Sequence, residues 1–272
     1  MASAVAVEPS FARAAQRGIM IYNEKIDLNE MGIGEIIKES VVSINAWQHG
    51  NNTLLGTVLL LSPIAAAAGM TLAERDELSI SRLRENIKLV VESTTSLDAV
   101  AVYEAINIAN PNGLVGKAPT LDVNDPHSKE RILEENITLY DVFRISASYD
   151  SISREWVENY PLTFEAGLPY FTQQLKETNN LNTAIVQTFL KILSIVPDTL
   201  VARKVGLERA KEISEQANEV LISGGLATTL GGEKLYGFDK KLRGSTNQYN
   251  PGTTADIISA VLAVSLLDGY RP

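Results

Sequence analysis

Asn250-Pro251-Gly252-Thr253-Thr254-Ala255-Asp256 opens the last apolar run of the chain. Beyond it, Ile257, Ile258, Val261, Leu262 and Leu266 recur at helical spacing. Pro251 and Gly252 break whatever precedes them, and Thr253 or Thr254 stands where an N-cap belongs. A helix start directs several free backbone N–H groups at one point, which suits a phosphate. Asp256, about one turn in, is placed to hold a cation that bridges to that phosphate. The same pattern also reads as a plain capping device, a Thr cap with an acid one turn later.

Working outward, the chain reads as helix after helix. Glu35 to Trp47 is the first clear one, and an apolar segment follows Asn52. Thr71-Leu72-Ala73-Glu74 reads as a capping box leading into Leu83, Ile87, Val90 and Val91. Leu97 to Asn110 comes next, stopped by Asn110-Pro111-Asn112-Gly113. Leu133, Ile137 and Tyr140 mark a helix that is expected to run to Tyr149. Ile185, Phe189, Ile192, Leu193 and Val196 form a stripe ended by Pro197, and Ala210, Ile213, Ala217, Val220 and Leu221 another, ended by Gly224-Gly225. Sustained period-2 alternation is missing, so the expected fold is all-α, a single multi-helix domain over 1–272 with a buried central helix from Thr53 to Ala68.

Two other helix junctions carry polar residues like those before Asp256. Asn51-Asn52-Thr53-Leu54-Leu55-Gly56 heads the apolar segment, and Pro197-Asp198-Thr199-Leu200-Val201-Ala202-Arg203-Lys204 separates two apolar stripes. Asn52, Asp198 and Asp256 are therefore expected to converge on one pocket. Two long loops are expected as well, Asn110 to Ser128 and Gly224 to Gly252. The second carries Lys240, Lys241 and Arg243 toward the Asn250–Asp256 turn.

Composition excludes several classes. A net charge of −9 argues against a nucleic-acid binder, so a phosphate ligand needs local basic groups or a metal ion. With zero Cys there is no disulfide, no thiolate chemistry and no Cys zinc site. With only His49 and His127, a multi-histidine metal cluster is excluded too. The start Met1-Ala2-Ser3-Ala4 has no basic run and carries Glu8 within its small apolar residues, so no targeting signal is read there. Leu54 to Met70 is apolar but interrupted by Pro63 and short for a membrane span of about 20 residues. The expectation is a cytoplasmic protein with no membrane or nucleic-acid partner and a homo-oligomer as a possible assembly.

Taken in order, these segments resemble the triphosphoribosyl-dephospho-CoA synthase family, including its archaeal-type members. The matching residues are Asn52-Thr53-x-x-Gly56, Asp198-Thr199 with Arg203 and Gly206, Gly224-Gly225, and Asn250 to Asp256. Tyr160-Pro161-Leu162-Thr163-Phe164-Glu165 is similar to the archaeal type. Family members carry an earlier segment with a Pro-Gly turn, which this chain, starting at Met1, is expected to lack. Leu54 stands where bacterial members have a polar residue. The resemblance implies an all-α transferase using ATP and 3′-dephospho-CoA. The ribose of ATP, triphosphate attached, moves onto a ribose hydroxyl of the acceptor, and adenine leaves.

Breaking a ribosyl–base bond builds positive charge at the ring carbon, so the site needs a negative group there and a proton donor for the base. A triphosphate needs Mg²⁺, which favours one or two carboxylates and keeps waters. Asp198 and Asp256 are the candidates for the metal, and Arg203 and Lys204 for phosphate oxygens. Asn52, Thr53, Thr253 and Thr254 are expected to hydrogen-bond sugar or phosphate, with Gly252 and Arg243 beside the phosphates. Glu165 and His49 are weaker candidates for proton transfer. Two alternatives stand beside the transferase: a catalytically idle nucleotide sensor, and a Mg²⁺-dependent hydrolase of nucleotide-type substrates.

Overall fold

The computed structural model describes residues 2–47, 54–74, 78–109, 118–243 and 248–272. Among the described residues there are fourteen α-helices and no strand, as the periodicity demands. They cluster into two compact units, Met1–Ser148 with Ile152–Tyr160, and Tyr149–Ser151 with Pro161–Pro272.

The first unit holds α1 (Ala2–Tyr22), α2 (Ile33–Trp47), α3 (Leu55–Glu74), α4 (Ile80–Glu92), α5 (Ser96–Ala109), α6 (His127–Glu134), α7 (Leu139–Ser146) and most of α8 (Ser151–Val157). The apolar periodicity does not announce α1, because its buried face is made of small residues, among them Ala6, Ser10 and Ala14. Small size is the point of that face. A Cβ on Gly18 would stand 2.0 Å from the Ala66 carbonyl oxygen, and one on Gly69 2.0 Å from that of Ala15. Helices α1 and α3 therefore touch backbone to backbone.

Helix α3 is the buried helix that the sequence promises, with Val58, Leu60, Ala66 and Ala67 wholly covered. It spans 20 residues, running past the expected end near Ala68 to Glu74, with Pro63 inside it. It is long and apolar enough to cross a membrane by length and composition, and 67% of its apolar window is buried inside the fold. Proline lacks the N–H that would reach back one turn, which orphans the Leu59 carbonyl. The indole Nε1–H of Trp156 fills that gap, donating to Leu59 O at 3.0 Å, and the Tyr160 hydroxyl donates to Leu60 O at 3.0 Å. Both donors are fully enclosed side chains, and Trp156 also meets the Phe143 ring edge-on at 4.8 Å.

Two sequence expectations fail in this unit. Thr71 does not cap α4, since it lies inside α3. Its hydroxyl donates to Ala67 O at 2.8 Å and accepts from Asn86 Nδ2 at 3.0 Å, and Ser79 caps α4 instead. The helix expected from Leu133 to Tyr149 is two helices. Asn136 takes a left-handed φ of 51°, and Thr138 with Asp141 forms the capping box that starts α7.

The second unit opens with a π-helical turn, Leu162–Gly167, followed by α9 (Leu168–Thr178), α10 (Leu181–Ile195), α11 (Thr199–Val205), α12 (Leu207–Ile222), α13 (Thr229–Arg243) and α14 (Gly252–Leu267). Its core is Leu190 and Leu193 of α10 against Val201, Ala210, Ile213, Ala217, Val220 and Phe238. These are largely the apolar stripes read from the sequence. The expected loop from Gly224 to Gly252 is mostly helix α13. Gly231 and Gly232 lower its intrinsic propensity by about 1 kcal/mol each. The Thr228 hydroxyl offsets this by accepting the Gly231 N–H at 3.0 Å, and buried Phe238 anchors the helix to α12.

Candidate functional site

The polar junction of the second unit is built around Asp198, the N-cap of α11, which is 2% exposed. Its Oδ1 accepts the N–H of Val201 at 3.0 Å. Its Oδ2 accepts the N–H of Thr254 at 2.7 Å and the Thr254 hydroxyl at 2.9 Å. One carboxylate thus caps two helices. Burial pushes the Asp198 carboxyl above its ordinary range, against the donors from Thr254 and Val201, which pull it down.

This corrects the reading of the α14 start. Neither Thr253 nor Thr254 is its N-cap, because Pro251 holds that place and the two threonines lie in the first turn, 4% and 2% exposed. The Gly252 N–H donates to Asn250 O at 2.9 Å and the Thr254 N–H to Asp198, so the open fan of donors expected there is largely occupied by the protein's own oxygens. Gly252 also packs tightly on α11, where an added Cβ would stand 2.6 Å from Leu200 Cδ2.

Hydroxyls continue the network outward. Thr199 Oγ1 accepts the Ser151 N–H at 3.2 Å and donates to Thr253 Oγ1 at 3.3 Å, which in turn accepts the Leu200 N–H at 3.2 Å. One turn along α11 from Thr199, the Arg203 guanidinium donates through Nη1 to Asp150 Oδ2 at 2.6 Å. Asp150 has no motif around it in the sequence. Only the fold brings it to Arg203.

The other candidates fall in different places. Lys204 is exposed at the end of α11. Asp256 is half-buried one turn into α14. Arg243 lies at the end of α13, exposed, and pairs with Asp239 of its own helix at 2.7 Å. Glu165 is exposed on the π-helical turn. Tyr249, beside the Asn250–Pro251 turn, sits under the Arg209 guanidinium at 5.2 Å. Asn52, Thr53 and His49 lie outside the described residues, as do 110–117 of the first expected loop.

Among the described residues no group of three His, Cys, Asp or Glu is arranged to hold a metal ion. Asp198 is unsuited to Mg²⁺, since three donors already face its oxygens and water does not reach it. What the junction offers to solvent is cationic: the Arg203 guanidinium and the Lys204 ammonium on an otherwise acidic protein.

Fold and junction together define an all-α protein whose helix starts are cross-linked by a buried carboxylate behind an exposed arginine. A similar fold is found in a solved structure from Archaeoglobus fulgidus, assigned as a triphosphoribosyl-dephospho-CoA synthase. It superposes with a TM-score of 0.71, covers 99% of each chain and is 24% identical, which establishes the fold. The chain belongs to the CitG family, ATP:dephospho-CoA triphosphoribosyl transferase, whose pattern it matches over residues 1–272. A 2-(5″-triphosphoribosyl)-3′-dephosphocoenzyme-A synthase of Klebsiella pneumoniae is 30% identical over 98 residues, which are 36% of this chain and 32% of that protein. A Pseudomonas fluorescens protein assigned the same activity is 22% identical over 267 residues, 98% of this chain and 78% of its own length.

Proposed function

We propose that this chain transfers the triphosphoribosyl group of ATP to 3′-dephospho-CoA and releases adenine. The observation that carries the reading is the family match over the full 1–272 span. In this reaction the bond between the ribose ring carbon of ATP and adenine breaks, and its electron pair leaves with the base, which takes up a proton. A ribose hydroxyl of the acceptor forms the new bond to that carbon and gives up its proton.

The roles follow from the residue chemistry at the junction. Arg203 and Lys204 are the groups that meet phosphate oxygens, since both are exposed cations on α11, the helix that Asp198 caps. Asp198, Thr253 and Thr254 act from behind, holding the α11 and α14 starts in register. Asp256 is the carboxylate that meets Mg²⁺ where the ion arrives as part of the MgATP substrate. Gly252 and Arg243 flank the phosphate chain.

Incubation with ATP, Mg²⁺ and 3′-dephospho-CoA, with adenine quantified and the CoA product weighed by mass spectrometry, tests this. Stoichiometric adenine and triphosphoribosylated acceptor are expected. Adenine released equally without the acceptor, or nucleotide bound without turnover, overturns the transferase reading.

A further inference from the structure

Thr199 and Arg203 lie four residues apart on α11 and so share one face. That face is lined by Asp150 and Ser151: the Ser151 N–H donates to Thr199 Oγ1, and the Asp150 carboxylate accepts from Arg203 Nη1. The partners differ in exposure. The Asp150 side chain is 12% exposed and that of Arg203 38%, so the carboxylate sits behind and the guanidinium in front. Among the described residues, Asp150 is the acid that Arg203 pairs with, through one nitrogen of the fork. The remaining N–H donors of the planar group meet no acceptor among the described residues and are open to a second one.

As a stabilising device such a pair is weak, since half-exposed ion pairs are screened by solvent and contribute little. As an orienting device it is strong. A guanidinium held along one edge presents the other in a fixed plane, the geometry that two oxygens of a phosphate accept.

We propose that Asp150 is a positioning residue for this site: it fixes Arg203 so that the free edge of the guanidinium takes the polyphosphate chain of the nucleotide. This rests on the transferase reading and names the part of the substrate that Arg203 holds. Two physical effects of Asp150 on a polyanion have opposite signs. Its negative charge repels phosphate, so by electrostatics alone its neutralisation would tighten binding. Its hold on Arg203 favours phosphate, so by positioning its neutralisation loosens binding. The sign of the change decides.

The probe is inorganic triphosphate, titrated calorimetrically into wild type, Asp150→Asn, Arg203→Lys, Arg203→Ala and the double variant Asp150→Asn/Arg203→Ala. Asp150→Asn is expected to weaken binding about tenfold, the scale of one charge-assisted hydrogen bond. Arg203→Lys, which keeps the charge and loses the fork, is expected to weaken it similarly, and Asp150→Asn to add nothing once Arg203 is gone. In turnover, the KM for ATP rises in Asp150→Asn while kcat stays within about threefold. Tighter or unchanged triphosphate binding in Asp150→Asn, additive losses in the double variant, or no binding by wild type would each overturn the proposal. Because the probe needs no turnover, a chain that binds triphosphate through Arg203 yet releases no adenine separates failure of the reaction from failure of this inference. Should Asp150→Asn not fold, Asp150→Glu, which keeps the charge but shifts the carboxylate, carries the decision: weakened triphosphate binding supports the proposal and unchanged or tighter binding overturns it.

Discussion

The Asp198 carboxylate accepts the backbone N–H of Thr254 at 2.7 Å across 56 residues of sequence, while its other oxygen accepts that of Val201. Two helix starts share one buried anion. The first unit repeats the device: Asp98, 4% exposed, accepts the N–H of Thr95, just ahead of its own helix, and the Gly34 N–H of α2, each at 2.8 Å. In both places the positive ends of two helix dipoles converge on one carboxylate.

Removing that carboxylate orphans two backbone donors at once. Asp198→Ala is expected to cost about 3 kcal/mol or more, the sum of a lost cap and a buried unmade hydrogen bond. Asp198→Asn retains one acceptor oxygen and should cost roughly half as much. Denaturant unfolding of the three proteins measures this, and equal midpoints would show that the shared cap contributes nothing.

The same residue predicts a pH dependence. Burial raises the Asp198 carboxyl above its ordinary 3.8. The folded protein therefore holds that proton more tightly than the unfolded chain. The resulting stabilisation is fully present below pH 3.8 and is lost as pH rises through the folded value. Asp198→Asn lacks this contribution. The stability of wild type relative to Asp198→Asn should fall from about pH 3 toward neutrality and then level off. Thermal melts at constant ionic strength check it, and a relative stability that grows with pH contradicts it.

Trp156 satisfies a carbonyl that Pro63 leaves without its helical partner. Trp156→Phe should cost about 1–3 kcal/mol from the orphaned Leu59 oxygen, besides any loss of packing. Pro63→Ala returns an N–H to the helix, and in that background the cost of Trp156→Phe should shrink by about 1 kcal/mol. A double-mutant cycle on urea unfolding reads the coupling directly, and additivity would mean that the indole bond is incidental.

Asp256 tests the link to the substrate. As a helix-start acid alone it contributes about 0.3–1 kcal/mol, and Asp256→Asn would leave nucleotide affinity unchanged. As the carboxylate that meets MgATP, its replacement should weaken ATP binding about tenfold with Mg²⁺ present and little in its absence. Calorimetry under the two conditions distinguishes these outcomes, and retained MgATP affinity would reduce Asp256 to a helix-start charge.

The helices that bury large side chains were legible from the pattern alone: α2, α10, α12 and α14 carry Ile, Leu and Val at intervals that only a helix places on one face. Pro197 stops α10 where proline must. Less legible were α1, whose contact face is defined by small size, and α13, whose Gly231-Gly232 pair looks like a loop until the Thr228 cap and the Phe238 anchor are seen. Local motifs also misled. Thr71-Leu72-Ala73-Glu74 has the spelling of a capping box, but an apolar helix that continues past Met70 absorbs it and gives the Thr71 hydroxyl to Ala67 and Asn86.

At the polar junctions the sequence marks helix boundaries, and the structure shows how Asp198 is used at one of them, as a cap. That Asp198 and the Asn250–Asp256 turn matter follows from acid, threonine and glycine standing at helix boundaries, because backbone donors left over at a helix start need acceptors wherever the chain runs. That Asp198 caps two helices, that it is enclosed and facing donors, and that Asp150 holds Arg203 follow only from distances between residues more than fifty positions apart. Periodicity encodes which face of a helix is buried. It does not encode which neighbour's backbone that face meets, and the roles of Asp198 and Asp150 rest on those meetings.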